Sequence, residues 1–165
     1  FQILNSFFII TLASSFSKLW EKVWNPSGPV KFALGLIFVA VGFFALSYGS
    51  LSIPQGAKTA TVSMIWLILA YFFHTLGELC LSPVGLSYVS KLSPKKFVGL
   101  LFGFWFTASA IANFIAGYTG AYIDKISAMY SLSTFFIIIA ALPLSAALML
   151  LLFNKKLVKM MHGIK

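Results

Sequence analysis

Long apolar runs alternate with short polar connectors along the whole chain. Five runs can each form a membrane-spanning helix, over residues 1–20, 31–49, 63–92, 97–123 and 131–153. An α-helix rises about 1.5 Å per residue, so it needs about 20 residues to cross about 30 Å of hydrocarbon. The runs are too long for strands and lack an alternation with a period of two. The pattern therefore predicts an all-α membrane protein with five transmembrane helices.

The connectors contain residues that end helices. Residues 25–29 read Asn-Pro-Ser-Gly-Pro, and residues 51–62 include a proline and a glycine. Ser93-Pro94 predicts that one helix ends and the next begins within a few residues. No repeat or low-complexity tract interrupts this order. We therefore predict one transmembrane bundle over residues 1–165, which ends in a cytoplasmic tail over residues 154–165.

The charged side chains lie in clusters between the apolar runs. The chain has twelve lysines and three acidic residues, which give a net charge of +9. If the first helix runs from outside to inside, only Lys58 and Lys125 fall outside, which satisfies the positive-inside rule. We therefore expect a multi-pass protein of the plasma (bacterial inner) membrane with a cytoplasmic C-terminus. Nucleic acid is not an expected partner, because the lysines lie at helix ends and form no basic face. The lysines on the cytoplasmic side are Lys18, Lys22, Lys31, Lys91, Lys95, Lys96, Lys155, Lys156, Lys159 and Lys165.

Thiol and imidazole groups are few. Cys80 is the only cysteine, and His74 and His162 are the only histidines. This excludes an intrachain disulfide and leaves no metal-ligand spacing, so we expect neither a metal nor a cofactor. The chain begins at Phe1 inside an apolar run, without a methionine and without the features of a signal peptide. We interpret it as a piece of a longer chain.

Glu78 is the only acidic side chain in the interior of an apolar run. A carboxylate at membrane depth is costly, so it normally faces a bundle interior or a water-filled cavity and has a partner. Thr75 and Ser82 share its helical face by spacing, and His74, one turn earlier, either hydrogen-bonds it or packs. Pro83 predicts a kink close by, which is typical of transporter sites and also of static bends. The alternative role for Glu78 is to join two helices by a hydrogen bond.

Depth in the membrane relates Glu78 to two other polar residues. Asn5, Glu78 and Ser109 are each separated from the nearest inner lysine by the same number of residues, roughly 20 Å at about 1.5 Å per residue. Three polar side chains from three helices thus fall in one layer, as a substrate site near the midplane requires. Leu86, Phe102 and Trp105 lie closer to the lysines and could close a gate, or pack in the ordinary way.

The fourth run has features that indicate helix contacts. Ala108, Ala112, Ala116 and Gly120 form a stripe of small residues that favours close packing. Asn113 is expected to form an interhelical hydrogen bond. Neither feature predicts chemistry.

Several motifs resemble those of the proton-dependent oligopeptide transporters. The segment His-Thr-Leu-Gly-Glu-Leu at 74–79, followed by Leu-Ser-Pro-Val-Gly-Leu-Ser at 81–87, is similar to that family's tenth-helix motif. Trp105-Phe106 and the small residues after it resemble the eleventh helix. Phe1-Gln2-x-x-Asn5 resembles the start of the eighth, and Lys-Phe-Ala-Leu-Gly at 31–35 resembles the ninth. The resemblance covers nearly the whole chain in the family's order.

The resemblance implies a fold and a function. The family belongs to the major facilitator superfamily, whose members have two six-helix bundles and alternate access to a central site. The chain would then be helices eight to twelve, part of the C-terminal bundle, and would not transport without the N-terminal bundle. The implied function is symport of protons with di- and tripeptides, with the proton as coupling ion and no enzymatic activity.

The resemblance also implies roles for single residues. Glu78 would face the substrate's amino terminus and could pair with a lysine of the N-terminal bundle. Asn5 would bond the peptide backbone or its carboxy-terminal side, while Ser82 and Ser109 would line the cavity. Trp105 would shape a side-chain pocket and, with Leu86 and Phe102, form the inner gate. Ser6 and Phe102 depart from the family, which often has proline and methionine at these positions. The family's Glu-x-x-Glu-Arg motif, which couples protons, belongs to its first helix.

Three alternatives remain open. The same fold could transport nitrate or another small solute, although a carboxylate in the cavity disfavours an anion. The chain could instead be a non-transporting subunit that packs with a partner, in which case Glu78 would be buried with no cavity beside it. An intramembrane enzyme that uses Glu78 and His74 has the least support, since no second metal ligand or nucleophile has a suitable spacing.

Overall fold

The computed structural model describes residues 2–54 and 62–161 of the chain. Phe1, Gly56, Lys58, His162 and Lys165, which the sequence analysis uses, lie outside these ranges. Five of the described helices are long and apolar enough to cross a membrane, which confirms the predicted all-α class. The helices are α1 (Gln2–Lys18), α2 (Gly28–Gly49), α3 (Ile65–Leu92), α4 (Val98–Ala121), the short α5 (Ile123–Met129) and α6 (Leu132–Met160).

The helix ends differ in places from those that hydropathy predicts. A π-helical turn, Leu19–Val23, extends α1, and the short helix α5 occupies a segment predicted as a loop. Helix α6 runs to Met160 and so includes the first part of the predicted tail. Hydropathy marks the apolar stretch alone, whereas a helix continues into water as long as its residues have helical propensity.

Helix α2 lies between α3 and α6 and packs along both of them. Its small residues form two stripes with a spacing of seven, which keeps each stripe on one side of the helix. Ser47 of one stripe hydrogen-bonds the buried Ser133 of α6, with 2.8 Å between their hydroxyl oxygens. Farther along this antiparallel pair, both helices continue with small buried residues at the same spacing of seven. The buried members are Ala33, Ala40 and Ser47 of α2, and Ser133, Ala140 and Ala147 of α6.

The second stripe of α2 consists of glycines, and it brings the helix very close to α3. A Cβ atom on Gly35 would lie 2.9 Å from the carbonyl oxygen of Gly77, and one on Gly77 would lie 2.8 Å from the carbonyl oxygen of Gly35. At Gly42 it would lie 2.5 Å from the His74 ring, and at Gly28 it would overlap the Tyr88 ring. The glycines thus allow a close approach of two backbones, a role that was not predicted from the sequence.

Helix α4 is placed differently. It contacts α3, α5 and the 3₁₀ turn Lys95–Phe97, and none of its residues is buried by the described part of the chain. The predicted small-residue stripe faces outward: a Cβ on Gly120 would meet nothing within 4 Å. Asn113 donates to the carbonyl of Ser109 in its own helix, and the expected interhelical hydrogen bond is not found among the described residues.

Candidate functional site

Glu78 lies on an exposed part of α3, next to α1. The side-chain amide of Asn5, on α1, donates from Nδ2 to Oε2 of Glu78 over 3.2 Å. Two of the residues that the sequence places in one layer therefore make direct contact. Among the described residues Asn5 is the only hydrogen-bond partner of Glu78, and it contacts one of the two carboxylate oxygens.

The buried Thr75 of α3 hydrogen-bonds Asn5 and so supports its contact with Glu78. Its hydroxyl oxygen lies 2.8 Å from Oδ1 of Asn5 and 2.8 Å from the carbonyl oxygen of Tyr71, one turn earlier in α3. A hydroxyl has one proton to donate, so the two acceptors share it. Thr75 is 1% exposed, and the network therefore begins in the core and ends on an exposed carboxylate.

The network determines how the amide of Asn5 is oriented. Its oxygen accepts from Thr75 and its nitrogen donates to Glu78, which is the orientation that satisfies a hydroxyl and a carboxylate together. An inverted amide would place its oxygen against a carboxylate oxygen. One amide hydrogen and one lone pair of Asn5 remain for a further partner.

His74 belongs to the helix packing and not to this network. The centroid of its ring lies 4.7 Å from that of Phe43, with the two planes tilted by 56°, and the ring lies against Gly42. Its Nε2 atom is buried without a hydrogen-bond partner in the described structure. Of the two roles that the sequence leaves open for His74, the structure supports packing, and a bond to Glu78 is wrong.

Trp105 of α4 rests on a glycine of α3. A Cβ on Gly85 would lie 2.1 Å from Cη2 of Trp105, so only glycine leaves room for the indole. Trp105 and Gly85 belong to an apolar groove of about 470 Å³ whose other walls include Phe32 and Phe104. Gly85 therefore provides the space that the indole of Trp105 occupies against α3.

The remaining site residues of the sequence analysis are placed along α3 and α4. Ser82 and Leu86 are half-buried, one and two turns after Glu78. Phe102 is half-buried, whereas Ser109 is exposed and donates to the carbonyl of Trp105. The described structure therefore joins Asn5 to Glu78 directly and leaves Ser109 bonded within its own helix.

Asn5→Ala is expected to lower the free energy of unfolding by about 1–2 kcal/mol, because the link from Thr75 to Glu78 is lost. Asn113→Ala is the matched control, since within the described residues that amide bonds a carbonyl of its own helix alone, and its effect should stay within about 0.5 kcal/mol. Thermal unfolding of both variants in the same detergent measures the difference. Equal melting temperatures for the two variants would contradict the structural importance of the network.

Five membrane-spanning helices, one of which carries a carboxylate held by a polar network, place the chain in the class of multi-pass membrane proteins. The chain belongs to the POT family, whose sequence profile matches residues 1–138. This confirms the resemblance that the motifs indicate.

Named relatives and solved structures agree with this assignment. The chain is 38% identical over 157 residues to the peptide transporter YePEPT of Yersinia enterocolitica, covering 92% of this chain and 30% of that protein. It is 41% identical over 128 residues to the uncharacterized transporter YclF of Bacillus subtilis, covering 76% and 25%. The crystal structure of a POT family transporter in complex with 5-aminolevulinic acid matches with a TM-score of 0.79 and 29% identity, covering 93% of this chain and 30% of that one. The chain thus spans less than a third of the length of these relatives.

Proposed function

We propose that this chain is the C-terminal part of a proton-coupled symporter of di- and tripeptides that works by alternating access. The observation that carries the proposal is the exposed carboxylate of Glu78, which Asn5 holds by one of its two oxygens. A carboxylate within a membrane-spanning helix needs water or a cation beside it. The amino terminus of a peptide is such a cation.

Recognition would use the two ends of the peptide and its backbone. Glu78 pairs with the ammonium group, and a charge-assisted hydrogen bond of this kind is strong where water is limited. Asn5 keeps one amide hydrogen and one lone pair for the peptide backbone. Ser82 lines the cavity one turn below Glu78, and Ser109 lines it from α4. Because these contacts ignore side-chain identity, the substrate range is broad.

Release would depend on a competing partner and a gate. A lysine of the N-terminal bundle pairs with Glu78 when the peptide leaves, so the carboxylate is never without a counter-charge. Trp105, seated on Gly85, forms the inner gate together with Leu86 and Phe102. Trp105 also shapes a pocket for substrate side chains. The positions of the lysines support a plasma-membrane protein with its C-terminus in the cytoplasm.

Uptake by the intact transporter in proteoliposomes tests the proposal. An imposed inward proton gradient should concentrate a labelled dipeptide inside the vesicles, and a protonophore should abolish the accumulation. Unlabelled di- and tripeptides should compete with the label, whereas nitrate at the same concentration should not. Competition by nitrate alone would favour an anion transporter, and no accumulation of either solute would favour a packing subunit.

A further inference from the structure

Thr75 makes a hydrogen bond to a second helix, which distinguishes it from three other threonines of the described helices. Those three each donate to the carbonyl one turn earlier in their own helix, and they are Thr11, Thr107 and Thr119. Thr75 makes the same kind of bond to the carbonyl of Tyr71, so its own helix already provides an acceptor for the hydroxyl. The additional contact with Oδ1 of Asn5 is therefore not needed to satisfy Thr75, and its effect falls on Asn5.

The two helices that this contact joins differ in how firmly they are packed. Thr75 is buried, and two positions later a Cβ on Gly77 would lie 2.8 Å from the backbone carbonyl of Gly35 in α2. Helix α1, in contrast, has no buried residue between positions 3 and 18. The position of the Asn5 side chain therefore depends on its contacts with α3, and the buried hydroxyl is a fixed point for it.

Glu78 and Thr75 determine different properties of the Asn5 amide. A carboxylate only accepts hydrogen bonds, so Glu78 determines that Nδ2 and not Oδ1 points toward it. A hydroxyl both donates and accepts, so Thr75 determines where the amide lies and not which way round it is. A cation that binds Glu78 neutralises the charge that attracts Nδ2, which weakens that bond. The bond to Thr75 then holds the amide in place.

We propose that Thr75 is a positioning residue for substrate binding, which holds the amide of Asn5 in place for the peptide. This role rests on the function proposed above. Thr75 itself is 1% exposed and does not reach the substrate. An amide that is already held loses less conformational freedom on binding, so its contact with the peptide backbone is stronger. Removal of the hydroxyl should therefore weaken peptide binding and leave the transport cycle of the loaded protein unchanged.

Thr75→Val in the intact transporter tests this role, because valine is similar in shape to threonine and has no hydroxyl. Dipeptide uptake in proteoliposomes should show a KM raised about fivefold, as expected for one lost hydrogen bond, with kcat unchanged. Thr75→Ser restores the hydroxyl and should return KM to the wild-type value. Thr11→Val is the matched control on the helix that carries Asn5, since its hydroxyl bonds carbonyls of its own helix, and KM should not change.

Thr75→Cys keeps the role testable where the valine variant does not fold. Cysteine differs from serine by a sulfur in place of the oxygen, and a thiol is a weak donor, so KM should exceed that of Thr75→Ser about threefold. Equal KM values for the cysteine and serine variants would overturn the proposal. A wild-type KM in Thr75→Val would do the same, as would a lower kcat at an unchanged KM.

A cycle of melting temperatures separates this role from the proposed function, because it needs no substrate. Thr75→Val, Asn5→Ala and the double variant are compared in the same detergent. The double variant should melt close to Asn5→Ala alone, since both changes remove the same bond, and additive shifts would overturn the proposal. A coupled cycle in a protein that takes up no dipeptide would contradict the proposed function, while Thr75 would still hold Asn5.

Discussion

Glu78→Gln in the intact transporter is expected to abolish concentrative dipeptide uptake and to lower kcat/KM by about 100-fold. Loss of one partner of a desolvated charge pair costs about 2–5 kcal/mol, and 100-fold lies within that range. Glutamine has the same shape as glutamate and can still accept from Asn5 through its oxygen. The fold and membrane insertion should therefore be unchanged. Uptake of a labelled dipeptide under a proton gradient measures the effect.

Glu21→Gln is the matched control for this experiment. Glu21 lies in the π-helical turn after α1, and its carboxylate accepts from Ser17 over 3.2 Å in an exposed position. The same chemical change there should leave uptake at the wild-type rate. Wild-type kinetics in Glu78→Gln would rule out the role assigned to this carboxylate, and equal losses in both variants would indicate a general effect of charge.

Gly35→Val is expected to destabilise the protein by about 3 kcal/mol, the upper end of the usual cost of overpacking. The new Cβ would lie 2.7 Å from Cγ of Leu81 and 2.9 Å from the carbonyl oxygen of Gly77. The leucine can rotate away, but the carbonyl belongs to the backbone of α3, so α2 and α3 must separate. The loss should appear as a melting temperature several degrees lower in detergent.

Gly103→Val provides the control within α4, where a Cβ at residue 103 meets nothing within 4 Å. Its effect should be within about 0.5 kcal/mol. A melting temperature for Gly35→Val that matches this control would show that the close approach of α2 and α3 carries no stability.

Much of the fold could be predicted from hydropathy. The length of each apolar run determines whether it crosses a bilayer, and the five expected spans are all present. Ser93-Pro94 ends α3 at Leu92, as expected from the geometry of proline. The heptad spacing of Gly28, Gly35, Gly42 and Gly49 was also readable, and it could have predicted the contact of α2 with α3.

The candidate site was only partly predictable. Depth relative to the lysines placed Asn5 and Glu78 in one layer, and the two residues do hydrogen-bond. The same depth argument included Ser109, whose hydroxyl instead bonds within α4. The separation from a lysine gives the depth of a residue along its helix, but it does not give the direction in which the side chain points around the helix axis. The side chain of a serine or asparagine can also hydrogen-bond a backbone carbonyl of its own helix, which no spacing rule reveals.

The sequence alone determined that this chain is a set of membrane-spanning helices with one acidic side chain among them. Those properties follow from local quantities, namely the length of each apolar run and the cost of a charge in lipid. Only the tertiary structure decided that Thr75 would hold Asn5 beside Glu78, that His74 would pack, and that Gly35 would lie against Gly77. Each of these depends on the register between helices distant in sequence, which is set by the closest approach of their backbones and not by either helix alone.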